Sequence, residues 1–427
     1  MDQGAGEPEV ASTLVRGVPS GQGDLAGQPA SAFVGRYAGG GFGGPAFLVQ
    51  QSSEAGLRGS GDGLGGLQRG DALDQRGFIR VGVHRHQRIE HMFDCTRAPT
   101  HASYIRSVVD DRLAAWLLDS DPALRWQVER DLLGEPPAVW AATRARTATE
   151  GFGARLLALQ DADGQWAGGA FFPADFRFDD PAPEPGQPWT ATTWSLNSLR
   201  EWGVDAAILR ERRTVERLDA HCRWEYDELP YWGGEVDCCI NAWTLANGVW
   251  LGADVAGIAD WFTAHQLADG GWNCDWVEGS VRSSFHSTLN ALKGLLAWEI
   301  ATGGDATTRA ARHAGEEYLL QRNLFRRLST GEPVGPWVSR FTYPDRWVYS
   351  VLNAADYFRT SSKFDGTGPD PRMAEAIETI RAAAQPDGTW LQGGRLSGRV
   401  WFEVDAPEGR PSKWLTLIAS RTLAWWE

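Results

Sequence analysis

The sequence predicts an all-α body of stacked helical hairpins, preceded by a glycine-rich segment with no stable fold. Three observations carry this. All 22 tryptophans lie at or after Trp116. A loop signature recurs as Gln160-Asp-Ala-Asp163-Gly164-Gln-Trp166, Gln266-Leu-Ala-Asp269-Gly270-Gly-Trp272 and, one residue shorter, Gln385-Pro-Asp387-Gly388-Thr-Trp390. Small residues and then a helix-like apolar run follow each copy: Thr190 to Trp202, Ser284 to Ile300, Lys413 to Trp426. A turn set by Asp-Gly and anchored by a large aromatic between helices suits repeated helical hairpins.

The segment 1–106 contains no tryptophan and no lysine, and 21 of the first 100 residues are glycine. Without a sustained apolar period it cannot bury enough surface to offset its ordering entropy. It has no apolar run long enough for a signal peptide or a membrane helix. Gly61-Asp-Gly63-Leu-Gly65-Gly66 fits G-x-G-x-x-G but lacks the flanking strand and helix that a dinucleotide site requires. His84, His86 and His91 can chelate a metal, yet a polar unfolded stretch is the better reading.

The body, 107–427, begins with Leu113 to Leu133, a helical pair broken by Asp119-Ser-Asp-Pro122; Ser120 or Asp121 caps and Pro122 opens the second helix. Two looser loop relatives, Pro230-Tyr-Trp232-Gly-Gly234 and Pro333-Val-Gly-Pro-Trp337, fall between the signature copies. The intervals along Trp166, Trp232, Trp272, Trp337 and Trp390 match one αα-hairpin with its loop. Five or six such hairpins make either an open solenoid or a closed ring. Alternating β-branched runs are almost absent, so strands are not expected.

The body is acidic, with 45 Asp and Glu against 31 Lys and Arg. This excludes a nucleic-acid surface, and nothing resembles a phosphate loop or a membrane span. Four of the five cysteines fall between Cys222 and Cys274, which is not the spread of a disulfide framework, so a cytoplasmic location is expected.

The repeat resembles the α/α toroid of squalene and terpenoid cyclases and protein prenyltransferase β subunits over about residues 107–427. The resemblance implies a toroid of five or six hairpins with one helix of each inside. Asp237-Cys-Cys239-Ile-Asn-Ala-Trp243 is similar to the prenyltransferase D-x-C segment, and Phe285-His286-Ser-Thr288 to its histidine context. The match implies Asp237, Cys239 and His286 as ligands of a catalytic Zn²⁺ with an open position. Cys239, Trp243, Ala246 and Trp250 share one helix face, as do Phe285, Leu289, Leu292, Leu296 and Ile300, with His286 at that stripe's edge. Taken singly, a buried cysteine is commonly a small hydrophobe and a lone histidine usually structural. Cys274 reads as a fourth ligand or a redox bystander, Cys238 as packing about 100° away.

Two departures stand out. The basic residues of the prenyltransferase diphosphate clamp are missing around Gly233 and Gly234, although Arg282, Arg340 or Arg346 can replace them. The cyclase D-x-D-D is missing too, its nearest relative being Asp175-Phe-Arg-Phe-Asp179-Asp180 with the wrong spacing. The resemblance therefore implies a zinc enzyme acting on an apolar, isoprenoid-like small molecule. A non-catalytic toroid with a structural metal, binding a ligand or protein partner, is the alternative.

Overall fold

The computed structural model describes residues 110–177 and 186–427. The expected unfolded segment 1–106, with its glycine motif and His84, His86 and His91, lies outside the described residues, as do Asp179 and Asp180.

The described residues are mostly helical. In chain order the helices are α1 (Asp111–Leu118), α2 (Pro122–Asp131), α3 (Pro137–Arg146), α4 (Gly151–Leu157), α5 (Thr192–Glu201), α6 (Ala206–Glu211) and α7 (Thr214–His221). There follow α8 (Cys238–Leu251), α9 (Ala256–Ala264), α10 (Phe285–Thr302), α11 (Ala306–Leu320), α12 (Val351–Asp365), α13 (Ala374–Ala382) and α14 (Lys413–Trp426). Two short strands, Trp390–Leu391 and Pro411–Ser412, pair antiparallel beside the last helix. The expected break between α1 and α2 is present. Asp121 caps α2 by accepting from the Ala123 amide at 2.9 Å, and its second oxygen accepts from Phe152 at 2.8 Å, which ties in α4.

The three signature loops share one set of bonds. Gly164, Gly270 and Gly388 all turn at positive φ, where a side chain would be strained. The indole N–H of Trp166, Trp272 and Trp390 donates at 2.9 Å to the carbonyl of Leu156, Phe262 and Ile380 respectively, at the end of the preceding helix. Each backbone N–H of these tryptophans donates to a threonine hydroxyl in the first turn of the next helix: Thr192, Thr288 and Thr416, at 3.0–3.1 Å. The loop thus staples the end of one helix to the start of another.

Helix packing follows a simple order. α5 lies against α8, α8 against α10, α10 against α12, α12 against α14, and α14 against α2. From α2, the Trp126 indole donates to the Trp202 carbonyl at 2.9 Å and Gln127 to the Glu201 carbonyl at 3.2 Å, which leads back to α5. Arg421 of α14 fastens two of these neighbours, bonding Asp356 of α12 at 2.6 Å and Asp131 of α2 at 3.1 Å. α11 and α13 back onto α10 and α12 from the other side, and α9 onto α11. There the fully buried Arg312 of α11 joins Glu299 at 2.7 Å, Glu316 at 2.8 Å and Asp365 at 2.8 Å. Residues of α2, α5, α8, α10, α12 and α14 line a common chamber of about 930 Å³. No described helix is long and apolar enough to cross a membrane.

Candidate metal centre and chamber

Three segments meet at the N-terminal ends of α8 and α10. Asp237 caps α8, its Oδ1 accepting from the amides of Cys239 at 2.7 Å and Ile240 at 3.2 Å. Cys238 and Cys239 open the same helix. The third segment is the loop after Trp272, which turns through a short 3₁₀ helix, Cys274–Glu278, and is pinned by the Trp276 indole donating to the Val236 carbonyl at 2.9 Å.

Cys274 is the centre of the cluster. Its sulfur lies 3.3 Å from Cys238 Sγ, 3.3 Å from Cys239 Sγ and 3.0 Å from Asp237 Oδ1. The donor atoms of Asp237, Cys238, Cys239 and Cys274 all lie within 4.8 Å of one another, a spacing that can hold a metal ion. Around them, Glu235 accepts from the Asp237 amide at 2.7 Å, Ser287 Oγ donates to Cys274 Sγ at 3.3 Å, and Asn290 Nδ2 donates to Cys239 Sγ at 3.4 Å.

Electrostatics at the cluster are those of acids crowded out of water. Burial pushes the Cys238 thiol up and the Cys274 thiol to about 12, and burial with the neighbouring Cys274 raises the Asp237 carboxyl. Hydrogen bonds from Cys238 and Cys274 hold the Cys239 thiol below its ordinary value. Burial raises Glu235 to about 8. Without a cation, four such groups cannot all ionise in so small a space; a dication reverses that balance. Three sulfurs and one carboxylate form a donor set that suits zinc.

The expected ligands Asp237, Cys239 and His286 are brought together only in part. Asp237 and Cys239 are adjacent, whereas His286 is not one of the four grouped donors. Its Nδ1 accepts from the Tyr349 amide at 2.8 Å, and its ring packs on Trp337 and Trp347. Burial lowers its pKa to about 4, which leaves a neutral imidazole. Ser287 and Asn290 of α10 reach the cluster instead, while the His286 ring is held by the Tyr349 amide and the two indoles. Cys238, expected as packing, is fully buried in the core and also lies among the four grouped donors, its sulfur 3.3 Å from Cys274. Cys274, left open between fourth ligand and bystander, sits among the donors. Of the three candidate replacement arginines, Arg346 lines the chamber, whereas Arg282 and Arg340 are exposed. Asp175 pairs with Arg399 at 2.6 Å.

The chamber begins one turn below the cluster, at Ala242 and Trp243 on α8 and Lys293 on α10. Trp194, Trp202, Trp243 and Trp414 supply aromatic wall. An adjoining recess of about 250 Å³, walled by Trp189, Trp401 and Phe402, shares Trp194, Trp202 and Arg346 with it. Lys293 Nζ pairs with Asp345 Oδ2 at 3.0 Å, and Asn353 donates to the same oxygen at 2.9 Å. Glu201 is exposed by area yet enclosed deep in the protein, so what it faces is the chamber; burial, then Asp345, raise its pKa. Of these charged residues, sequence reasoning named Arg346 and missed Glu201, Lys293 and Asp345.

No protein-family model matches the chain, and no curated protein matches it in sequence.

Proposed function

We propose that residues 107–427 form an α/α toroid in which Asp237, Cys238, Cys239 and Cys274 hold a zinc ion, and that the chamber below takes an isoprenoid-like small molecule as an enzyme's substrate. The succession of helix neighbours from α5 through α14 and α2 back to α5 supports the toroid. The observation that carries the function is the buried cluster of three sulfurs and one carboxylate beside an aromatic-walled chamber. Bound there, zinc would supply folding energy by clamping three segments, and Lewis acidity wherever a protein donor gives way. Asn290 couples cluster and chamber, since it donates both to Cys239 Sγ and to the Trp347 carbonyl at 3.1 Å, next to Arg346.

One observation favours the second reading, a structural metal in a non-catalytic binding scaffold. Four protein donors close a tetrahedral site, whereas catalytic zinc usually keeps one position open. Metal analysis of the full chain tests the common premise: about one zinc per chain in the wild type, sharply less in Cys239→Ser, Cys238→Ser and Cys274→Ser, and no loss in His286→Gln. Wild-type protein purified without metal, and unable to bind added zinc, would overturn both readings. In cobalt-substituted protein, a visible spectrum that shifts when a chamber ligand is added supports the enzyme. A spectrum indifferent to ligand supports the scaffold.

A further inference from the structure

The chamber's charge runs against that of the chain. The protein carries a formal charge of −14, yet eight Arg and Lys side chains line the chamber against four acids, Asp131, Glu201, Asp345 and Asp356. Some of these bases are satisfied. Lys293 is paired with Asp345, and Arg421 and Arg359 with Asp356. The Arg200 Nε donates to Asn247 Oδ1 at 2.9 Å.

Arg346 is different. Its half-buried side chain lines both the chamber and the recess and makes no hydrogen bond or ion pair with a described residue. Its contacts are the faces of Trp189 at 5.1 Å and Trp194 at 5.8 Å. Burial lowers its pKa to about 10. A half-buried cation without an acceptor is costly, and indole faces offset only part of that cost. The missing partner is an anion, and its position is the junction between two aromatic-walled spaces.

We propose that the chamber binds an amphipathic carboxylate, with its head on the Arg346 guanidinium and its apolar body against Trp194, Trp202 and Trp243. This deepens the reading of the chamber as the ligand site and rests on it. The flat fork of a guanidinium matches a carboxylate with two parallel N–H donors. Local pairing sets the head's size: beside Arg346, Lys293 is already answered by Asp345, which leaves one guanidinium there for a single negative charge. Glu201 lines the same chamber, and burial with the nearby Asp345 raises its carboxyl, which lessens its repulsion of such a head.

Tryptophan fluorescence of the full chain, titrated at neutral pH with dodecanoate, dodecanol and dodecyl phosphate below their aggregation limits, tests this. The wild type should bind dodecanoate at least roughly tenfold more tightly than dodecanol, about 1.4 kcal/mol. Arg346→Gln should abolish that preference without changing dodecanol affinity, and Arg346→Lys, which keeps the charge, should retain part of it. Trp243→Ala should weaken acid and alcohol alike. Equal wild-type affinity for acid and alcohol, with both weakened by Trp243→Ala, would sink the carboxylate and leave the chamber as the site. Tighter binding of dodecyl phosphate than of dodecanoate would also overturn it. If none of the three binds, the carboxylate and the chamber reading fail together. Should Arg346→Gln fail to fold, Arg346→Lys and the three-ligand comparison in the wild type decide the matter.

Discussion

Trp272→Ala should both destabilise the protein and loosen the metal cluster, whereas Trp166→Ala should do only the first. Both indoles are fully buried, and both make the same two bonds, one from the indole to a helix-end carbonyl and one from the backbone to a threonine hydroxyl. Truncating a buried tryptophan costs about 3–5 kcal/mol through lost transfer energy and the cavity left behind. The orphaned Phe262 or Leu156 carbonyl adds about 1 kcal/mol, for a loss of roughly 4–6 kcal/mol. Unfolding entropy near 2.1 cal/mol/K per residue over about 300 folded residues gives ~0.65 kcal/mol/K. The melting temperature should therefore fall by ~6–9 °C in each variant. Only Trp272, however, stands two residues before Cys274, the sulfur that contacts the other three donors. Differential scanning calorimetry with zinc analysis on the same samples should show equal melting shifts and a metal deficit in Trp272→Ala alone. A melting temperature unchanged by either substitution would refute the stapling role of the loop. Equal metal content in both would refute the link between loop and cluster.

Arg312→Met should destabilise by about 3–5 kcal/mol in chemical denaturation, because Glu299, Glu316 and Asp365 are left facing one another without their cation; a loss under 1 kcal/mol would show the carboxylates relaxing into water. Burial raises the Asp405 carboxyl to about 6, so the folded state holds a proton that the unfolded chain releases near 3.9. That contribution is fully present below about pH 4 and is lost as pH rises through 6, so Asp405→Asn should raise the melting temperature at pH 8 relative to the wild type and leave it unchanged at pH 4. Equal shifts at both pH values would disprove the linkage.

Helix positions were legible because the signals were local. Asp121 before Pro122 and the Asp-Gly turns each act within a few residues, and each operates as expected. The threonines that complete the staples were not legible. Thr192, Thr288 and Thr416 stand 26, 16 and 26 residues after their tryptophans, so no fixed interval marks them. The donor cluster was half legible for a related reason. Angular position round α8 separates Cys238 from Cys239 only for a partner approaching from the side, but Cys274 arrives over the end of the helix, where both sulfurs are within reach. Register on α10 decides the other half: a one-residue difference puts Ser287 rather than His286 against Cys274, and the Tyr349 amide then occupies the histidine nitrogen. The chamber's charge was the least legible. Arg200, Glu201, Lys293 and Arg346 come from two helices and a loop, and of these only Arg346 stood out in the sequence, as a possible replacement for a missing basic residue. Their meaning arises only where helices far apart in sequence turn the same face inward, and an unanswered guanidinium is visible only once every available acceptor has been placed.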